Sequence, residues 1–252
     1  MTVYGLKKSL SIAQCIVMFF ALSAGSTVLI GGCGEEAQSF LPDFLVRRET
    51  IIEEPTPEEL CDWNLVGKGE AKIDTAENAL ILTEGTGSGG IALVSPRSYG
   101  RRVKMSFEMK PLSYEGINFA FLSASDKVTQ GDLKVGEDNR GDMEFWTEGR
   151  VQNYIFAYHN GFYDSKPFIK KNPGLRDVAV AGDLVEAKNA FTVEVGRRGR
   201  RLWIKIDGKT VVNGKDKARG GLPAGRLGFR LRGGGAGGYS CQIRNVVITE
   251  EK

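Results

Sequence analysis

The sequence predicts an all-β fold, an antiparallel β-sandwich or barrel, for most of its 252 residues. From Cys61 onward, short runs of alternating apolar and polar residues recur between Gly, Asn and Asp turns, and such alternation is the pattern of half-buried strands. None of these runs has the spacing of an amphipathic helix. The segment "IDGKTVV" also places Asp-Gly between two runs, which is the strongest short-range signal of a β-hairpin.

The predicted strands follow one another closely enough to form two packed sheets. In chain order they are "NALILT", "GIALVS", "RVKMSFEMK", "GINFAFLSAS", "GDMEFWT", "VQNYIFAYH", "NAFTVEVG", "RLWIKIDG", "RLGFRLRG" and "YSCQIRNVVIT".

Composition limits the class of protein. A hydrophobic share of 41% supports a real core and excludes a wholly disordered chain. The formal charge is +3, and Lys7 and Lys8 lie in a segment that we expect to be removed, which leaves +1. So balanced a charge argues against a nucleic-acid binder.

Residues 1–32 are predicted to form an export signal. Lys7 and Lys8 precede an uncharged, apolar stretch, as in secretory signals. Its end, Ile30-Gly31-Gly32-Cys33, resembles the lipobox of bacterial lipoproteins. The resemblance implies cleavage before Cys33, lipidation of that cysteine and a lipid anchor in the bacterial envelope, on the periplasmic or cell-surface side. An uncleaved transmembrane anchor is the alternative, and it too places the domain outside the cytoplasm.

Residues 33–60 are predicted to be an acidic tether between the membrane and the folded domain at 61–250. The segment ends in "EEPTPEEL" and has no sustained helical or strand period, as is typical of linkers. Its apolar patch "FLPDFLV" is a candidate for docking on the domain.

Two cysteines remain after processing. Cys15 leaves with the signal and Cys33 carries lipid, so Cys61 and Cys241 form a pair in an oxidising compartment. If the terminal strands are neighbours, a Cys61–Cys241 disulfide is expected, which the loop-entropy model values at up to about 5 kcal/mol. Two separate buried thiols are the alternative.

The last third of the chain resembles concanavalin A-like jelly rolls. The resemblance lies in "FTVEVGRRGRRLWIKIDGKTVV" and "GLPAGRLGFRLRGGGAGGYSCQIRNVVITE", and it implies two curved antiparallel sheets whose concave face commonly binds glycans. "RGDMEFW", "FIKKNPGLRDVAVAGD" and "GLPAGRLGFRLR" are further similar to the YesU-type family. Members of that family occur with polysaccharide-degrading systems, which implies a carbohydrate-related role.

Strand alternation predicts a polar groove on one face. In "GDMEFW" the side chains of Asp142, Glu144 and Trp146 share a face, and "GINFAF" and "LGFRL" place Asn118 and Arg230 opposite their apolar residues. Aromatic rings with convergent polar groups suit sugars. The predicted groove consists of Asn118, Asp142, Glu144, Trp146, Tyr154, Tyr158 and Arg230.

Two readings of "VQNYIFAYH" stay open. If Ile155 and Ala157 pack in the core, Tyr154 and Tyr158 face the groove; otherwise the tyrosines fill the space between the sheets, which is the commoner place for aromatic residues on strands.

Three residues are candidate catalytic groups. As i, i+2 neighbours on one strand face, Asp142 and Glu144 are about 7 Å apart, within side-chain reach of the roughly 5 Å that a retaining glycoside hydrolase needs. However, jelly-roll glucanases of the laminarinase type use a Glu-x-Asp-x-Glu strand, and Trp146 stands at the third acidic position here. His159, with Lys170 and Lys171 nearby, fits proton abstraction beside a uronate carboxylate, as in a polysaccharide lyase.

The sequence predicts no metal or cofactor. His159 is the only histidine and cannot complete a typical zinc site. "GEDNRGD" offers oxygens to a structural calcium ion but does not match a helix-flanked calcium loop.

The leading functional prediction is a lipid-anchored, extracytoplasmic jelly-roll protein that binds oligo- or polysaccharide, with Lys170 and Lys171 adding to the groove. The alternatives are a hydrolase or lyase acting in the concave face, and an envelope interaction protein whose aromatic residues lie in the core.

Overall fold

In a computed structural model, the described residues are 49–113, 116–133, 143–160, 166–185, 189–233 and 238–252, with the backbone alone for Met143, His159 and Asn160. They belong to one unit, Arg48–Lys252. The predicted signal segment, Cys33 and most of the predicted tether lie outside these residues. Neither helix of the described ranges is long or apolar enough to cross a membrane.

Strands dominate the described residues, as predicted. They are β1 (Thr50–Glu53), β2 (Asn64–Val66), β3 (Gly69–Asp74), β4 (Ala79–Glu84), β5 (Ile91–Val94), β6 (Arg102–Pro111), β7 (Gly116–Asp126), β8 (Val151–Asn160), β9 (Phe168–Asn172), β10 (Arg176–Val180), β11 (Phe191–Arg198), β12 (Arg201–Ile206), β13 (Lys209–Lys215), β14 (Arg226–Gly233) and β15 (Ser240–Glu251). Two five-residue helices, α1 (Pro57–Cys61) and α2 (Met143–Thr147), complete the described elements.

The strands form two antiparallel sheets. In sheet A the order is β13-β12-β11-β6-β15-β4-β3, with β1 paired to β15; in sheet B it is β10-β9-β8-β7-β14-β5-β2. The predicted Asp-Gly hairpin joins β12 to β13, and Asp207 and Gly208 have φ values of 50° and 76°. Positive φ at both central residues is the signature of a type I′ turn, whose twist matches that of the strands.

The main core lies between the sheets. Phe107 of sheet A contacts Phe229 of sheet B edge to face, with ring centroids 4.9 Å apart, and Tyr158 of sheet B at 5.6 Å. Alternate residues of the central strands enter this core, including Val103 and Met105 from β6. The all-β sandwich prediction is therefore confirmed.

Sheet B is also covered on its outer face. Along β7, ten consecutive residues from Gly116 to Ser125 are buried, so the strand is buried on both sides. Phe121 contacts the indole of Trp146 at 4.9 Å between centroids, and Phe119 and Ile155 belong to a second apolar cluster. A strand buried on both faces loses the alternation on which a face assignment depends.

The folded domain begins before the predicted boundary. β1 pairs with β15 from Thr50↔Glu251 to Glu53↔Ile248, and α1 follows it. The Thr56 side chain accepts a hydrogen bond from the N–H of Glu59, whose carboxylate accepts one from the Thr56 N–H. This reciprocal capping box explains the short helix. Residues 50–60 of the predicted tether therefore belong to the folded unit, in which Thr50–Glu53 pair with β15 and Pro57–Cys61 form α1.

The predicted disulfide is also corrected. Cys61 and Cys241 are free thiols. Cys241 lies fully buried on β15, where its partners on the neighbouring strands are Leu82 and Pro111. Cys61 ends α1 and stands on neither neighbouring strand. A disulfide requires the two Cβ atoms to face each other at short distance. Burial raises the pKa of both free thiols.

The two sheets close on each other along one edge. Gly214 of β13 approaches β10 so closely that a Cβ there would lie 2.6 Å from the Ala179 Cβ and 3.0 Å from the Val178 carbonyl oxygen. Only glycine fits such a contact. Edge strands of both sheets therefore meet at this side of the sandwich.

Candidate functional site

The predicted groove does not form, because its residues lie on different faces. Tyr154 and Tyr158 are 0% and 2% exposed and belong to the core between the sheets. Asn118 points to the same side, where its Nδ2 donates to the Tyr239 hydroxyl at 2.5 Å. The alternative reading, aromatic residues in the core, is correct for both tyrosines.

The part of "GDMEFW" that the structure describes is not a strand. Met143–Thr147 is helix α2, with Glu144 exposed and Trp146 buried against Phe121 on the outer face of sheet B. The strand-face argument for an Asp142–Glu144 pair therefore fails for Glu144. Asp142 and the His159 side chain lie outside the described residues.

Arg230 lies on the predicted face but is inaccessible. It projects opposite Phe229, with its guanidinium 5.7 Å from the centre of the Phe119 ring, and is 0% exposed. Its Nη2 donates to the Gly89 carbonyl oxygen at 3.3 Å. Buried in this way, Arg230 is part of the folded interior rather than a ligand-binding surface.

The structure does bring Tyr154 and Lys171 together, through a residue that the sequence did not single out. Tyr154 and Lys171 are cross-strand partners on β8 and β9. The hydroxyl of Tyr154 and the Nζ of Lys171 both donate to Asp216 Oδ2, at 2.6 and 2.7 Å. Asp216 follows β13, so this buried pair joins sheet B to sheet A.

The Asp216 carboxylate is held in its charged form. Burial opposes ionisation, but hydrogen bonds from Lys171 and Tyr154 outweigh it and lower the Asp216 pKa. The N–H of Ala218 donates to Oδ1 at 2.9 Å. Burial and the bond to Asp216 raise the pKa of Tyr154 to about 12, so this phenol is protonated at neutral pH and is poorly suited to act as a general base.

A second buried cation stands on the other side of Tyr154. The Arg197 guanidinium lies 5.1 Å from the ring centre. Its Nη1 donates to the Pro223 carbonyl oxygen at 2.9 Å and to the Ser123 hydroxyl on β7. These contacts fix the loop after β13 against sheet B, so the polar end of the core is rigid.

A cleft of 240 Å³ opens beside this network, where β10 and β13 meet. We call it the edge cleft. Its lining residues come from β9, the two edge strands and the turn after β13: Lys171, Arg176, Asp177, Val178, Lys215, Asp216, Lys217 and Ala218.

The edge cleft carries both positively and negatively charged hydrogen-bonding groups. Arg176, Lys215 and Lys217 are exposed, whereas Asp177 pairs with Lys170 at 3.0 Å across the β9–β10 hairpin. Carboxylates accept bonds from hydroxyl groups, and lysine and arginine donate them. Lys171 and Asp216, held by their buried ion pair, and the exposed cations around them together offer donors and acceptors to a polar, hydroxyl-rich ligand. Of the predicted sugar-binding residues, Lys171 lines this cleft and Lys170 adjoins it.

A larger cavity of 580 Å³ lies near α1, and its residues Arg97, Tyr99 and Glu53 are engaged in contacts of the fold. Arg97 stacks on Tyr99 at 3.8 Å and binds Glu53 and Glu250, and the Tyr99 hydroxyl donates to Glu53 at 2.7 Å. These contacts join the turn after β5 to β1 and β15.

Sequence reasoning missed Arg176, Lys215, Asp216 and Lys217. A detectable signal was "NGKDKARGG", a polar run directly after the predicted hairpin. In the described ranges, no group of three or more His, Cys, Asp or Glu residues is placed to hold a metal ion.

Comparisons of the structure with solved proteins address the fold. A Bacillus subtilis protein of unknown function with a galectin-like fold aligns with a TM-score of 0.66 and 15% identity, over 80% of this chain and 99% of that one. The fold is a galectin-like jelly roll. At this level of identity, the likeness shows the fold alone.

Two carbohydrate-binding proteins share this galectin-like jelly roll. The carbohydrate-binding module CBM66 from Bacillus subtilis aligns with a TM-score of 0.51 and 10% identity, over 74% of this chain and 94% of that one. The potassium-bound Emp46p carbohydrate recognition domain also has a TM-score of 0.51, with 13% identity over 76% of this chain and 89% of that one. No protein-family model matches the sequence, and no curated protein matches it.

Proposed function

We propose that this protein binds carbohydrate through the edge cleft. The observation that carries the proposal is the buried Lys171–Asp216–Tyr154 network behind the cleft, which fixes polar groups from both sheets at one opening. A preorganised set of donors and acceptors lowers the entropic cost of binding a hydroxyl-rich ligand. The fold supports the proposal, since a carbohydrate-binding module and a carbohydrate recognition domain share it.

The proposed location is the bacterial envelope. The apolar stretch that ends in Ile30-Gly31-Gly32-Cys33 supports cleavage before Cys33 and a lipid anchor, and residues 34–48 then connect the anchor to β1. Expression in the presence of labelled palmitate tests this. The wild-type protein should carry the label and sediment with membranes, and Cys33→Ala should lose the label. Labelling of Cys33→Ala would contradict the anchor.

A glycan array tests carbohydrate binding. The chain from Gly34 to Lys252 should bind a subset of glycans, and the paired change Arg176→Ala and Lys215→Ala should weaken that binding by about tenfold or more, since charge-assisted hydrogen bonds are lost. Lys127→Ala and Lys209→Ala together are the matched control, because both cations are exposed and do not line the cleft. Failure to bind any glycan would overturn the proposal.

Product analysis on the bound glycans tests the enzymatic alternative. Binding without products, unchanged in Glu144→Gln, is expected of a binding protein. Products released by the wild type and lost in Glu144→Gln would assign hydrolysis to α2 instead.

A further inference from the structure

Positive charge extends from the edge cleft across the adjoining surface. We call this surface the basic rim. Its members are cations of the cleft, of the turn after β13 and of the two segments that contact this turn: Arg101, Arg176, Arg200, Lys215, Lys217 and Arg219.

Hydrogen bonds hold the rim together. Arg101 Nη2 donates to the Gly220 carbonyl oxygen at 2.5 Å, and Arg200 Nη1 donates to that of Ala218 at 3.4 Å. The Asp216 N–H donates to the Arg200 carbonyl oxygen at 2.9 Å. The turn after β13 is thus fixed between two arginines, and its own cations lie on a defined surface rather than on a free loop.

The rim cations are not neutralised by the fold. Within the described part of the chain, Arg176, Lys215, Lys217 and Arg219 form no ion pair. Arg101 and Arg200 donate only to carbonyl oxygens, which carry no net charge. The cleft carboxylates are already engaged, Asp216 by Lys171 at 2.7 Å and Asp177 by Lys170 at 3.0 Å.

The outer face of sheet A shows a different arrangement. There Glu194 pairs with Lys205 at 2.8 Å and with Lys104 at 3.6 Å. Glu251 pairs with Arg198 at 3.2 Å and with Arg102 at 3.5 Å. The whole chain carries only +3, so the unmatched charge at the rim is a local concentration and not a general basicity.

We infer that the ligand of the edge cleft is an acidic polysaccharide, bearing uronate carboxylates or sulfate groups. This inference rests on the proposed function and specifies its ligand class. Arginine forks bind carboxylate and sulfate in a bidentate manner, and such charge-assisted bonds are about twice as strong as neutral ones. Because the rim continues beyond the cleft, successive acidic units of one polymer can be bound together.

An anionic membrane surface is the competing partner, and among the described residues the rim presents no large exposed apolar side chain to such a surface. Interfacial docking combines charge with apolar side chains that enter the lipid. The exposed large apolar residues of the described ranges are Ile52, Ile73, Leu112, Val128, Val180 and Leu184. None of them belongs to the cleft lining or to the turn after β13, which favours a soluble or wall-bound polymer over lipid.

Binding of polygalacturonate by the full-length protein in detergent tests the ligand class. Its carboxyl-reduced form is the matched neutral ligand. We expect binding to polygalacturonate, loss of binding to the reduced form, and an affinity that falls steeply with added NaCl because exposed charges are screened. The paired variant Lys217→Glu and Arg219→Glu should bind at least about tenfold more weakly. The control pair Lys127→Glu and Lys209→Glu should stay within about twofold, since neither residue lines the cleft or the rim.

The outcomes separate the two proposals. Equal affinity for both forms of the polymer overturns the acidic class and leaves carbohydrate binding standing, whereas no binding to any glycan overturns both. Unchanged affinity in Lys217→Glu with Arg219→Glu, at an unchanged melting temperature, overturns the rim. Retention on vesicles of phosphatidylcholine with phosphatidylglycerol, beyond phosphatidylcholine alone and without polymer binding, assigns the rim to a membrane.

Discussion

Removing one partner of the buried Lys171–Asp216 pair should destabilise the protein strongly, whereas replacing both partners together should destabilise it much less. The Nζ–Oδ2 distance is 2.7 Å, and the side chains are 9% and 5% exposed. Asp216→Asn keeps the shape of the side chain but leaves the Lys171 ammonium buried without its carboxylate. Removing one partner of a buried pair costs about 3–5 kcal/mol. In a domain of this size, that loss lowers the melting temperature by roughly 6–20 °C.

Urea denaturation of Lys171→Met, Asp216→Asn and the double variant measures this cost. Each single change should lose about 3–5 kcal/mol of unfolding free energy. The double variant should lose clearly less than their sum, because it retains no unpaired charge. Lys170→Met is the control: its pair with Asp177 is 26% and 63% exposed, so about 0–1 kcal/mol is expected. Additive losses in the double variant, or a loss below about 1 kcal/mol in Asp216→Asn, would refute the reasoning.

Three further predictions concern packing and acid stability. Trp146→Ala should cost about 3–5 kcal/mol in chemical denaturation, because a 2%-exposed indole leaves a cavity, whereas exposed Glu144→Ala should change stability by less than about 0.5 kcal/mol. Gly214→Val should separate β10 from β13 and lower the melting temperature, which calorimetry would show; an unchanged value would contradict the close approach. The hydrogen bond from Arg226 lowers the pKa of Asp132, so the stability from this pair is present above the usual aspartate pKa and is lost as pH falls through the lowered value. Melting temperatures between pH 7 and pH 3 should therefore decline less steeply in Asp132→Asn.

The alternation of apolar and polar residues predicted the sandwich but not the location of the candidate site. Strands buried on one face, such as β6 with Val103 and Met105 inward, follow the period-2 pattern. The central strands β7 and β8 of sheet B are buried on both faces. Their sequences therefore carry no signal to say whether Tyr154 or its neighbours along the strand face the core. The tyrosine reading stayed open for that reason, and the groove built on it was wrong.

The segment "GDMEFW" shows a second limit. Its alternating pattern fits a strand, and a short apolar run does not distinguish strand from helix. Its described residues belong to the helix Met143–Thr147, which packs Trp146 against Phe121 on the outer face of sheet B. By contrast, α1 was foreseeable, since Thr56-Pro57-Glu58-Glu59 is a capping box with proline at the first helical position.

The edge cleft could not be located by local pattern alone. Lys171 and Asp216 are separated by 45 positions, and they meet only because sheet A and sheet B close along β13 and β10. A sequence shows that each residue is polar and follows or lies within a strand. It does not show which edges of two sheets face each other.

The pairing of β1 with β15 places the two ends of the sandwich side by side, with Thr50 opposite Glu251. Partners in an antiparallel ladder have Cα atoms about 5 Å apart, so a few residues would suffice to join these ends. A circular permutant that joins Glu251 to Thr50 and opens at the exposed Thr75–Asn78 turn between β3 and β4 should retain the sandwich. Because β1 and β15 are paired neighbours, the domain can also be inserted into a loop of another protein whose two flanking strands then stay close together.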